Sequence, residues 1–349
     1  MDLFEAGKAG YMTYRIPGIV TLGDGTIIAY AEARKDGTGD WADIDILMRR
    51  SSDGGTTWTQ PILIADAATE TVNNVVAIAG RGKHEVHLVY CVNYARAYYR
   101  HSNDSGQNFS PPLEITSAFE SLRTQYDWNV IATGPGHGIR LKTGRLLIPV
   151  WLSTGGRSHR PSVVSTLFSD DHGKTWKTGE IIRGNLHNPS ETAAVELKDG
   201  RVLMNIRSES DAQRRAIVYS RNGSTAWTSP TFVPQLKEPV CMASLLRYPK
   251  GKQPILFINP DNIDADAATK NNRTSKRKNL TLQLSPDEGQ TWRVHQVIDA
   301  DVSAYSDITV NKKGQILVLY EKGGLNGNMY FTRSLRLTVL DKLPVFNRK

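Results

Sequence analysis

Residues Ala193 to Arg207 read AAVELKDGRVLMNIR. An apolar run, a polar turn around Gly200 and a second apolar run mark a β-hairpin. The unit recurs along the chain. It appears as IVTLGDGTIIAY around Gly25, VVAIAGRGKHEVHLVY around Gly82, GIRLKTGRLLIPVW around Gly144, SLLRYPKGKQPILFI around Gly251 and DITVNKKGQILVLYE around Gly314. The turn glycines are 57, 62, 56, 51 and 63 residues apart, and 349 residues divided by six give about 58. Six copies of one unit fill the chain.

A second motif follows the first in most copies, 20 to 34 residues after the turn glycine. It reads SSDGGTTW from Ser51, SNDSGQNF from Ser102, SDDHGKTW from Ser169 and SPDEGQTW from Ser285, with a decayed SRNGSTAW from Ser220. Ser, Asp and Gly at these offsets make a tight turn, with the aromatic tucked beneath it. Repeats of this length with several short strands each predict an all-β protein. The expected fold is a six-bladed β-propeller of four-stranded antiparallel blades, one domain over residues 1–349. The last unit has no Asp-type turn, so the segment before Tyr14 is expected to supply a strand that closes the ring. A linear solenoid is the structural alternative.

Composition narrows the function classes. No apolar stretch approaches the ~20 residues of a membrane helix, so no membrane insertion is expected. Cys91 and Cys241 are the only cysteines, too few for a disulfide framework or a thiolate zinc site, and read as half-buried thiols. The net charge of +8 admits nucleic acid, acidic membranes or acidic substrates as partners. The only dense basic run, Arg273 to Lys278, reads by default as a solvated loop, and no nucleic-acid partner is expected. No basic-then-apolar leader follows Met1. A removed signal with a new start Met would look the same, so a secreted or periplasmic location is expected and the cytoplasm stays open.

The repeat supplies geometry. Residues seven to ten positions either side of each turn glycine share the far end of the hairpin, roughly 25 Å away at ~3.3 Å per residue. Arg15, His137, Glu191 and Tyr305 lie there before the turns, and Arg34, Trp151, Arg207 and Glu321 after them. Loops between second and third strands open on the same face and hold Asp40 and Arg277. The Asp-type turns at Asp53, Asp104, Asp171 and Asp287 face the other way. Bidentate arginines in such number suit a carboxylate or phosphate ligand. Carboxylates and a tyrosine beside them suit acid–base and covalent chemistry. Each residue alone reads more readily as part of a rim salt bridge, and it is the set at matched offsets that points to a site. The set contains no metal-ligand cluster, and no cofactor is expected.

At these residues the sequence resembles the exo-α-sialidases (neuraminidases) of the bacterial and animal type. The resemblance rests on YRIP at Tyr14–Pro17, AEAR at Ala31–Arg34, Asp40, and DILMRRSSDGG from Asp45. It continues with GPGHGI from Gly134, the stretch from Glu191 to Arg201, Arg207, Arg277 to Thr281, YSD at Tyr305–Asp307, and Tyr320–Glu321. It implies that Arg15, Arg207 and Arg277 clamp a substrate carboxylate. Tyr305 would be the nucleophile, Glu191 its base and Asp40 the acid/base at the glycosidic oxygen. Arg34 would lie near Asp40 and the sugar's C4 hydroxyl, and Glu321 would steady Arg15. The anomeric carbon of a sialic acid carries an ionised carboxylate. A neutral phenol approaches it without the repulsion a second carboxylate would meet, the family's departure from the two-carboxylate rule.

Trp41 and Trp151 could line the pocket or simply pack. Trp128 reads as core. His137 reads as a structural histidine that could touch the site, and His159 and Arg160 as loop residues that could meet the leaving group. Arg273 competes with Arg277 for the third place in the clamp. The resemblance implies sialylated glycans as partners and leaves the oligomeric state open. Related alternatives are a hydrolase of the deaminated sugar, a trans-sialidase (intramolecular or not), a catalytically inactive sialoglycan-binding propeller and an interaction scaffold with no sugar site.

Overall fold

The computed structural model describes residues 1–264, 277–325 and 328–343. These form an all-β protein of curled sheets, and the one helical element is a 3-10 helix at Thr116–Leu122. After β1 (Asp2–Glu5), the first sheet runs β2 (Thr13–Thr21), β3 (Ile27–Arg34), β4 (Ile44–Ser51), β5 (Ile62–Ala65). The second runs β6 (Val72–Ala79), β7 (Val86–Val92), β8 (Arg96–Ser102), β9 (Leu113–Glu114). In the third, β10 (Val130–Thr133) and β12 (Ile139–Arg140) both pair with β13 (Leu146–Ser153), followed by β14 (Ser162–Ser169) and β15 (Lys177–Thr178). Between them, β11 (Gly136–His137) leaves its own sheet and pairs in parallel with β6. The fourth sheet is β16 (Thr192–Glu196), β17 (Val202–Ile206), β18 (Arg214–Ser220), β19 (Thr231–Lys237).

The remaining strands are β20 (Ser244–Arg247), β21 (Ile255–Pro260), β22 (Lys278–Ser285), β23 (Arg293–Val310), β24 (Ile316–Leu325) and β25 (Asn328–Leu340). They form one seven-stranded sheet in the order β20-β21-β22-β23-β24-β25-β1. Its long strand β23 serves two neighbours in turn: residues 293–302 pair with β22 and residues 303–310 with β24. As the sequence required, the N-terminal segment closes the last group, with Phe4 opposite Leu335.

The core lies between successive sheets. Val20, Ile28 and Met48 meet Val75, Leu88 and Tyr90, while Ile27 and Ala29 meet Leu317 and Leu319 on the other side. Strands buried on both faces read as continuous apolar runs, which is why LLIPVWLS of β13 is buried throughout. At Gly18 a Cβ would come within 2.0 Å of the Tyr30 ring. Only glycine admits that ring, whose hydroxyl donates to Gly136 O and accepts from Ala77 N.

The Asp-type turns have the expected build. The Asp53 carboxylate accepts the Thr57 N–H at 3.0 Å while Ser51 Oγ accepts Gly55 N–H at 2.9 Å, and the same bonds recur at Asp104, Asp171 and Asp287. In the decayed copy Asn222 Oδ1 accepts Ser224 and Thr225 N–H in the aspartate's place. These turns lie beside the glycine turns of the hairpins, for Asn311 donates to Gly54 O and Ser105 Oγ donates to Asp24. They therefore sit at the end away from Tyr305. Cys91 and Cys241 are free and fully buried, a correction to the half-buried reading.

Candidate active site

Three inner strands carry the same irregularity at the same height. Between Arg15 and Gly18, Asn73 and Val76, and Ser303 and Ser306, each strand advances three residues while its partner advances two. One extra residue is a β-bulge, which bends the strand and re-aims its side chains. Ile16 has φ 55° and Asn74 φ 54°, left-handed values that a β-branched residue such as isoleucine adopts only under constraint. Glu321 supplies that constraint. Its carboxylate accepts Arg15 Nε at 3.0 Å, Arg15 Nη2 at 3.3 Å, Ile16 N–H at 3.1 Å and Tyr305 N–H at 3.3 Å. One buried acid thus ties the bulges of β2 and β23 together and aims Arg15 and Tyr305 at a common point.

A pocket of about 210 Å³ opens there, and Arg15, Asp40, Trp151, Glu191, Arg207, Arg277 and Tyr305 all line it. Tyr305 donates its hydroxyl proton to Glu191 Oε1, Arg207 Nη1 donates to Glu191 Oε2, and the same nitrogen donates to Tyr305 Oη at 2.8 Å. The guanidinium carbons of Arg15 and Arg277 stand 5.3 and 5.2 Å from the centre of the Tyr305 ring. Arg277 Nη2 donates to Val240 O at 2.6 Å. The loop carrying that carbonyl is fixed by Glu238, which accepts Cys241 N–H and pairs with the buried Arg215.

Across the pocket, Asp40 on the β3–β4 loop accepts Arg34 Nη2 at 2.9 Å. Arg34 itself has 0% exposure, gives its other bonds to Glu32 and Thr38 O, and does not line the pocket. Arg34 thus lies beside Asp40, as expected, and holds it. The reading of His137 is corrected. Its matched offset suggested the far end, but β11 has crossed to β6, and His137 Nδ1 pairs with Asp307 at 2.7 Å. It faces a cavity of about 740 Å³ at the opposite end, away from the reacting groups. Asp307 also accepts Ile19 N–H, Ser244 Oγ–H and Ile308 N–H, so this member of the YSD motif joins inner strands at the centre.

Trp151 lines the pocket, as do His159 and Arg160, whereas Trp41 packs behind His159 in a stacked pair. Trp128 is core, as read. Ile16, Asn74, Tyr94, Pro135 and Val240 also line the pocket and escaped the sequence reading. Most sit on bulges or loops, where no offset from a glycine predicts direction. Arg273 lies outside the described residues. Among the described residues no group of three or more His, Cys, Asp or Glu is placed to hold a metal ion.

The electrostatics treat the two carboxyls alike and set the phenol apart. Burial works against the Glu191 carboxylate, but Arg207, the Tyr305 hydroxyl and Arg277 outweigh it and hold its pKa below the usual range. Burial pushes the Tyr305 phenol up, and Arg207 only partly offsets it. Asp40 is likewise opposed by burial, yet Arg34, Arg15 and His159 hold it low. In the resting pocket the proton belongs to the tyrosine and both acids are charged.

Three arginines, a tyrosine bonded to a carboxylate and a second carboxylate opposite are what the resemblance to sialidases implied. The sequence model of the BNR repeat-like domain matches residues 25–318. The chain belongs to this family, that of the sialidases. It is 28% identical to a sialidase of Micromonospora viridifaciens over 92% of this chain and 52% of the relative. To Sialidase-3 of Mus musculus it is 25% identical, over 93% of this chain and 91% of the relative. The chain thus spans about half the length of the first relative and nearly all of the second. Among solved structures, a Hadza microbial sialidase, Hz136, superposes with a TM-score of 0.81 at 24% identity, covering 97% of this chain and 68% of the other.

Proposed function

We propose that this protein is a retaining exo-α-sialidase that releases terminal sialic acid from glycoconjugates through a covalent sialyl-tyrosine intermediate. The observation that carries the reading is the hydrogen-bonded group Tyr305–Glu191–Arg207, faced by Asp40 across one pocket. Arg15, Arg207 and Arg277 would hold the substrate carboxylate, a geometry suited to planar guanidinium forks. We also read the fold as a six-bladed propeller over residues 1–349, with β23 ending the fifth blade and opening the sixth.

In the first half-reaction the bond from Tyr305 Oη to the anomeric carbon forms while the glycosidic C–O bond breaks. The phenol proton passes to Glu191, and Asp40, having first taken up a proton, gives it to the leaving oxygen. Because the phenol pKa is high and that of Glu191 low, the proton moves only as the new bond develops. Arg207 at the phenol oxygen and the two guanidinium groups over the ring favour the charge that builds there. Water then attacks the anomeric carbon, giving Asp40 a proton while Tyr305 recovers its own from Glu191. Two inversions leave the configuration retained.

A fluorogenic N-acetylneuraminic acid glycoside, run beside its deaminated analogue, tests the reading. Release of the fluorophore is expected. Hydrolysis of neither would overturn it.

A further inference from the structure

A catalytic acid held in its charged form has to obtain a proton before it can give one, and the side chain of Asp40 is half-buried among cations. Asp40 Oδ1 is occupied by Arg34, and Oδ2 faces His159 Nδ1 at 3.8 Å. That is longer than a hydrogen bond and within range of an ion pair; one bridging water or a small ring rotation closes it. The imidazole stacks on Trp41 at 4.7 Å between centroids and 25° between planes, and Tyr94 and Trp151, 6.1 Å apart, each lie 5.2 Å from it in a shared aromatic box. Trp41 is the residue after Asp40, so one loop carries both the acid and the surface on which the imidazole rests. His159 Nε2 is buried without a hydrogen-bond partner among the described residues, which leaves Nδ1, toward Asp40, as its polar side.

Resting on the sialidase reading, we propose that His159 is a positioning residue for the acid. It holds the proton that Asp40 delivers to the leaving oxygen, and so sets the upper pH limit for cleaving poor leaving groups. The proton moves from His159 Nδ1 to Asp40 Oδ2 and on to the glycosidic oxygen. In the second half-reaction the water proton returns by the same route, so the pair is restored each turnover.

The imidazole pKa lies below its ordinary value: burial lowers it most, Arg207 and the adjacent Arg160 lower it further, and Asp40 from the β3–β4 loop and Glu191 ahead of β16 only partly offset them. The imidazole therefore releases its proton readily, and the pH limit it sets lies on the acid side of neutrality. Arg160 is itself paired with Glu209. Asp40 feels Arg34 and Arg15 besides His159, and Tyr94 from the β7–β8 turn faces the pair. Alone, Asp40 would stay ionised. A substrate carboxylate seated on the arginines cancels part of their field and favours return of the proton to Asp40. His137 offers the contrast: bonded at 2.7 Å to a central aspartate, it lies away from the pocket.

His159→Gln keeps a polar side chain that does not titrate, and His159→Phe keeps the aromatic stack without a nitrogen. For each, kcat/KM is measured against pH on a sialyl-oligosaccharide and on an aryl sialoside with an activated leaving group. On the oligosaccharide both variants are expected to lose on the order of 10-fold at pH 6, with the alkaline limb moved down by about one pH unit. On the aryl sialoside both should stay within about threefold of wild type. An unmoved limb, or an equal loss on both substrates, overturns the proposal while leaving the sialidase reading intact. A wild-type protein that cleaves neither substrate overturns both.

Discussion

The Tyr305 hydroxyl donates to the Glu191 carboxylate across 114 residues of chain, and one nitrogen of Arg207 donates to both partners. In the proposed mechanism this contact would let a weak nucleophile act near neutral pH. Glu191→Gln is expected to lower kcat about 10²–10⁴-fold, since the amide cannot take the phenol proton. Incubating the wild type with a 3-fluorinated sialosyl fluoride should leave an adduct on Tyr305, seen by mass spectrometry of the digested protein. An adduct on Glu191 or Asp40 instead would reassign the roles.

Replacement of Asp40 by Ala should depend on the leaving group. An activated aryl sialoside needs little protonation and should retain much of its turnover. A natural sialyl-oligosaccharide should lose about 10²–10⁴-fold in kcat/KM. Parallel assays on the two substrates check this, and equal losses would remove Asp40 from the acid role.

Arg277→Lys replaces a planar fork with a point charge. One charged hydrogen bond is worth about 1.5–3 kcal/mol, so kcat/KM should fall roughly 10- to 150-fold. Unchanged kinetics would transfer the third place in the clamp to Arg273.

Stability should respond to acid through the Asp-type turns. Hydrogen bonds, first that from the Thr175 hydroxyl, hold the Asp171 carboxyl down to about 2 from an ordinary 3.8. A folded-state value below the unfolded one adds stability above about pH 3.8 and loses it as pH falls toward 2. Asp171→Asn should therefore be less stable at pH 7, by roughly 0.5 kcal/mol because the turn is exposed. Urea unfolding at pH 7, 4 and 3 should show the gap closing with acid; a gap that stays constant would place the effect elsewhere.

Much of the site was legible because height along a hairpin is a matter of counting. Glu191 and Tyr305 each stand nine residues before a turn glycine, and they meet. His137 stands seven before Gly144 and yet faces the opposite cavity, because β11 leaves its sheet for β6. Arg34, nine residues past its glycine, reaches Asp40, and its further bonds to Glu32 and Thr38 O fix it there. The partners that give His159 and Arg160 their places, Asp40 and Glu209, come from other parts of the chain.

By itself the sequence determined the all-β unit and its recurrence, the turns, the closing N-terminal strand and the end of each hairpin on which the reactive residues stand. These depend on local periodicity and turn chemistry, which neighbouring residues encode. Only the tertiary structure decided which way those residues point. A side-chain period of two means that one extra residue turns a strand to its other face, and the bulges at Ile16, Asn74 and Tyr305 carry no compositional mark. Two of them persist because Glu321 bonds the backbone of Ile16 and Tyr305, and the third because Glu32 accepts the Asn74 N–H.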